Sequence, residues 1–96
     1  MPTAFRDIVV SNSMGLHARP AMQFVDLANQ FASTVTVTKP PAAGAEPVVA
    51  DGKSVMQMIV LEAIEGTKLH IEADGADAEE AVKQLAELFE SKFGEE

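Results

Sequence analysis

The chain has 96 residues, enough for one compact domain over residues 1–96 and too few for two. A hydrophobic fraction of 47% excludes a disordered chain, and the absence of cysteine excludes disulfides, thiol catalysis and Cys-based zinc sites. The net charge of −8, with only seven Lys and Arg along the whole length, makes nucleic acid and anionic lipid poor partners.

The N-terminal MPTAFRDIVV has no basic region, long apolar run or cleavage site, and the longest apolar stretch is Met58–Leu61. A soluble cytoplasmic protein with no membrane insertion is expected. Residues 4–10 (AFRDIVV) read as a strand, and residues 11–16 (SNSMGL) as a turn-rich loop with Gly15 as punctuation. Residues 18–31 have helical periodicity. Ala21, Phe24, Val25, Ala28 and Phe31 fall on one side, with Gln23, Asp26, Asn29 and Gln30 on the other. Pro20 near the start suits a first turn, where a missing N–H costs nothing.

Residues 33–38 (STVTVT) alternate, with Val35 and Val37 inward and the threonines outward. PPAAGAEP (40–47) reads as a loop, and PVVAD (47–51) as a short strand returning along the previous one. After the Asp51-Gly52 turn, Ser54 precedes VMQMIVLE as an N-cap, predicting a short helix ending near Ala63. Residues 67–74 (TKLHIEAD) alternate again, with Leu69, Ile71 and Ala73 on the core side and His70 outward as a solvated surface residue, neither ligand nor base. Residues 77–93 predict the longest helix, capped by Asp77, with Glu79 and Glu80 in its first turn and Ala81, Val82, Leu85, Leu88, Phe89 and Phe93 as its stripe. The terminal GEE is expected to fray. The order β-α-β-β-α-β-α, with half-polar strands, predicts an α+β open-faced sandwich: a four-stranded antiparallel sheet with three helices on one face.

The richest constellation is Gly15-Leu16-His17-Ala18-Arg19-Pro20-Ala21. It places a histidine at a helix start, where backbone N–H groups lack carbonyl partners and the dipole amounts to roughly half a positive charge. An anion is stabilised there. Arg19 adds a fork of donors suited to phosphate oxygens. Phosphoryl transfer depends mostly on positioning and electrostatics, and a neutral imidazole offers a lone pair without needing a base. The same residues also fit a plain surface histidine beside a helix cap.

GLHARPA resembles the signature of the HPr family of histidine phosphocarriers, with His17 at the phosphorylated position. Gly52-Lys53-Ser54-Val55-Met56 resembles that family's regulatory-serine segment at the start of its second helix, and the element order matches the family fold over nearly the whole chain. The resemblance implies phosphorylation of His17 on Nδ1 by the phosphoenolpyruvate-dependent enzyme I and transfer to an enzyme IIA component of a sugar transporter. It gives Arg19 the role of neutralising the phosphoryl group and Pro20 that of setting the helix start, with Gly15 and Ala18 in support and Asn12 steadying the loop. For Ser54 it adds phosphorylation by the HPr kinase/phosphorylase, putting charge beside His17, to the simple cap reading. No cofactor and no metal are implied, and a monomer is expected because the site must stay open to successive partners.

Only Gln57 is strongly polar between Ser54 and Glu62, so burying Met58 and Leu61 leaves part of Val55, Met56, Ile59 and Val60 near the surface. With Met14, Leu16 and Met22, the residues Val55, Met56 and Ile59 make a candidate partner interface. The 40–47 loop is longer than the family pattern. The C-terminal LFESKFGEE resembles the family's nitrogen-related branch, whereas GKSVM resembles its sugar-system branch. A small-molecule-sensing α+β module and a hydrolase using His17 as base are the other classes compatible with the elements. No pocket signature, paired carboxylates or nucleophile elbow supports either.

Overall fold

The computed structural model describes residues 2–41 and 44–94. The chain folds as β1 (Thr3–Val9), α1 (Ala18–Ala28), β2 (Thr34–Lys39), β3 (Val48–Asp51), α2 (Val55–Val60), β4 (Lys68–Asp74) and α3 (Ala78–Glu90), closing on a short 3-10 turn at Lys92–Gly94. The sheet order is β1-β4-β2-β3, and every pairing is antiparallel. The predicted β2–β3 return is present, with Thr36 opposite Asp51 and Lys39 opposite Val48. Ala42 and Ala43 of the 40–47 loop, and Glu95 and Glu96 of the terminal GEE, lie outside the described residues.

Alternation decides which face of each strand meets the helices. Val35, Val37, Ala50, Leu69, Ile71 and Ala73 are buried, while Phe5, Val9 and Val49 on the opposite face stay exposed. The helices return the complementary stripes: Ala21, Phe24, Val25 and Ala28 from α1, and Ala81, Val82, Leu85, Ala86 and Phe89 from α3. Met58 and Leu61 are fully buried beneath α2, as their spacing predicts. Among the described residues no helix is long and apolar enough to cross a membrane.

All three helices stop earlier than their periodicity suggests, and each for a local reason. Helix α1 ends at Ala28, not Phe31, because the chain tightens into i→i−3 bonds from Gln30 to Leu27 and Phe31 to Ala28, while Asn29 Nδ2 also donates to the Val25 carbonyl. Helix α2 ends at Val60, not near Ala63. Glu62 takes a left-handed φ of 52°, and Lys39 Nζ donates to the Leu61 carbonyl at 2.8 Å. Helix α3 ends at Glu90, short of Phe93, because Lys92 and Phe93 both turn left-handed, with φ of 56° and 55°. That turn still buries Phe93, whose ring meets Phe89 edge-on at 4.8 Å.

Asp77 holds the cap position of α3, but its carboxylate does not bond the helix. It accepts instead from the Ala32 N–H at 2.8 Å, the Ser33 N–H at 2.9 Å and the Ser33 hydroxyl, tying α3 to the loop between α1 and β2. The Ser33 hydroxyl first, and then the Ala32 N–H, hold its carboxyl below the ordinary carboxylate value. His70 departs from the expected solvated residue. It is half-buried on the outer face, stacks on Phe5 at 5.2 Å and places Nδ1 2.7 Å from Asp7, its register partner on β1.

Candidate functional site

The loop between β1 and α1 is closed from within. Asn12 is fully buried, and its Nδ2 donates to the Gly15 carbonyl at 2.6 Å while the Gly15 N–H donates back to the Asn12 carbonyl at 3.0 Å. Ser11 Oγ anchors the same loop to the end of α3 by donating to the Phe89 carbonyl at 3.2 Å. Gly15 is required on two counts. Its φ is +70°, and a Cβ there would stand 2.6 Å from the Ala63 carbonyl oxygen and 2.9 Å from Ile64 Cα. The Leu16 N–H then donates to that Ala63 carbonyl at 2.8 Å, fastening the loop to the segment that follows α2.

These contacts deliver His17 to the N-cap of α1, with extended backbone at φ −85° and ψ −167°. The imidazole is half-buried and does not cap the helix. The helical ladder begins with the Ala21 N–H donating to the His17 carbonyl at 3.0 Å. Pro20, third in the helix and buried, has no N–H to contribute. The amides at the helix tip ahead of the ladder are therefore those of Ala18 and Arg19, the two exposed residues that follow His17 in the chain. A histidine at a helix N-terminus, with an exposed arginine two residues on, can hold an oxyanion on or beside the ring.

Helix α2 packs against α1, with its C-terminal end at the His17 loop through Ala63. Ser54 caps the opposite end, its Oγ accepting from the Gln57 N–H at 3.3 Å. The six residues of α2 make a helix about 9 Å long, so Ser54 lies a helix length away and not beside His17. Its neighbours are fixed tightly: Gly52 leaves no space for a Cβ between Val35 and Phe24, and Lys53 Nζ donates to the Phe31 carbonyl at 2.8 Å.

Four of the six interface candidates are exposed: Met14, Met22, Met56 and Ile59. Leu16 is not one of the surface residues. At 5% exposure it belongs to the core, drawn in by the Leu16–Ala63 bond. Val55 is half-buried and packs on the core, so it too leaves the patch. Val60 and Ile64 join it as exposed apolar side chains. Ile64 escapes a reading by periodicity because it follows α2 alone, between Glu62 and Glu65, where no stripe marks it.

Residues 5–91 match the family described as "PTS HPr component phosphorylation site". The chain is 42% identical to the phosphocarrier protein NPr of Proteus mirabilis over 98% of its own length and 99% of that protein's. It is 40% identical to the phosphocarrier protein HPr of Neisseria meningitidis serogroup A, over 94% of each. Its fold is similar to the crystal structure of HPr-C-His from Thermoanaerobacter tengcongensis, with a TM-score of 0.86 at 40% identity, over 97% of this chain and 98% of that one.

Proposed function

Because this chain belongs to the HPr family of phosphocarriers, we propose that His17 is the residue that accepts the phosphoryl group, from phospho-enzyme I, and hands it to an enzyme IIA component. Members of the family carry the group and do not turn over a substrate. The observation that supports the assignment is the placement of His17 at the N-cap of α1, its side chain not engaged in capping and the amides of Ala18 and Arg19 at the tip beside it. The Nδ1 lone pair attacks phosphorus, the N–P bond forming as the donor's bond breaks, with no water consumed. Those two amides and the Arg19 guanidinium receive the phosphoryl oxygens. Asn12 and Gly15 keep the loop in the shape that presents the ring, and Pro20 starts the helix without an N–H needing a partner.

Around this tip, Met14, Met22, Met56, Ile59, Val60 and Ile64 form the docking face for partner proteins. A monomer working in the cytoplasm keeps that face open to successive partners. Phosphorylation of Ser54 by an HPr kinase/phosphorylase puts about −1.5 to −2 charges at the Met56 end of the face. A helix length from His17 is about one Debye length at physiological salt. The added charge therefore weakens docking more than it alters the imidazole. The NPr relative, at 42% identity over nearly the full chain, favours a second reading in which the carrier serves a nitrogen-related regulatory branch.

Intact-mass measurement after incubation with phosphoenolpyruvate and either a sugar-type or a nitrogen-type enzyme I tests both points. One acid-labile phosphoryl group on the wild type and none on folded His17→Ala is the expected result, and the faster donor identifies the branch. Label retained in His17→Ala, or no label from either donor, refutes the assignment.

A further inference from the structure

Three of the four described methionines are exposed, and all three belong to the docking face proposed above. Met14 is 72% exposed, Met22 53% and Met56 74%, whereas Met58 beneath the same helix is 0% exposed. Met14 precedes His17 by three residues. Met22 lies one turn beyond Arg19 on α1, and Met56 follows Ser54 by two residues in the first turn of α2. The chain has no cysteine, so the thioethers are its only sulfur and the readiest targets for a two-electron oxidant.

Building on the carrier reading, we propose that Met14, Met22 and Met56 form a peroxide-sensitive modification site whose oxidation disables docking while leaving the His17 chemistry intact. In each case the sulfur lone pair attacks one oxygen of hydrogen peroxide. The S–O bond forms as the O–O bond breaks, the sulfur is oxidised to the sulfoxide, and the other oxygen leaves as water after taking the proton. The product is polar and must keep water or a hydrogen-bond donor at its oxygen. A partner that covers the face desolvates that oxygen, and the apolar fit is lost. Neither His17, the amides of Ala18 and Arg19, nor the Arg19 side chain contains sulfur, so the phosphoryl site itself is not altered.

The test treats the full-length protein with hydrogen peroxide and maps added oxygen by peptide mass. It then measures transfer from phospho-enzyme I before and after oxidation, and again after the two methionine sulfoxide reductases. The expected result is oxygen on Met14, Met22 and Met56 and none on Met58. KM for the carrier then rises by about tenfold or more, as for loss of a well-buried apolar contact, with kcat held, and the reductases remove the added oxygen and restore KM. A Met14→Leu/Met22→Leu/Met56→Leu protein, compared with its own untreated sample, is expected to show no change on oxidation. An unchanged KM in the oxidised wild type refutes the proposal. So does an equal loss in the leucine protein, or oxidation of Met58 ahead of the other three. If untreated protein accepts no phosphoryl group at all, the carrier reading falls and takes the proposal with it.

Discussion

Substituting Gly15 by alanine tests whether the His17 loop is held by its approach to Ala63. Two costs add. An L-residue at φ +70° costs about 1–2 kcal/mol. The new Cβ would also sit 2.6 Å from the Ala63 carbonyl oxygen, which is backbone and cannot swing aside, so the Leu16–Ala63 bond must open or stretch. Losing that bond adds about 0.5–1.5 kcal/mol, for a total of roughly 1.5–3.5 kcal/mol. Gly66→Ala supplies the control, because Gly66 has φ +90° with nothing within 4 Å of its Cβ position, so it incurs the backbone cost alone. Urea unfolding of the two variants separates the terms, and phosphoryl transfer measured on the same samples shows whether the displaced loop carries His17 with it. Gly15→Ala is expected to be the less stable by about 1 kcal/mol and the slower in transfer, with Gly66→Ala close to wild type in transfer. Equal losses of stability, or normal transfer by a destabilised Gly15→Ala, would refute the contact argument.

Two further predictions concern the caps. The Asp77 carboxyl titrates below its ordinary value of 3.8 in the folded protein, so its contribution to stability is fully present above that value and disappears as pH falls through the lower folded value. Urea midpoints recorded downward from neutral pH should therefore fall less steeply in acid for Asp77→Asn than for wild type; parallel curves would show that the Ser33 and Ala32 bonds contribute nothing. Ser54→Ala removes the oxygen that accepts from Gln57 N–H and should cost about 0.5–1 kcal/mol, while Ser54→Asp retains a capping oxygen and stays near wild type. Equal destabilisation in the two variants would mean that the hydroxyl is not acting as a cap.

The parts legible in the sequence are those governed by local pattern. Val35 and Val37, and likewise Leu69, Ile71 and Ala73, announce their strands because one face of this sheet meets helices and the other meets water. His17 and Ser54 fall at helix caps, where their neighbours in sequence place them. Pattern failed where partners distant in the chain decide. The ammonium groups of Lys39 and Lys53 end on the carbonyls of Leu61 and Phe31, each 22 residues away, and no periodicity encodes such bonds. Leu16 looks like a loop residue beside the exposed Met14, yet its own N–H pulls it against Ala63 and into the core. The Asp77 carboxylate reaches back to Ser33, 44 residues earlier, so a position that reads as a helix cap serves as a clasp.

The sheet order has a consequence for how the chain is made. β1 and β2 do not touch; each pairs with β4, which lies between them in space but follows both by dozens of residues. On the ribosome, β1 has no partner strand until Lys68–Asp74 emerges, and before then β2–β3 is the one strand pairing of the sheet that can form. Most of the closure entropy falls at one late step, which slows folding relative to a hairpin-by-hairpin sheet of the same size. Until that step the nascent chain carries unpaired strand edges, and this interval is when chaperone contact or misassociation would act.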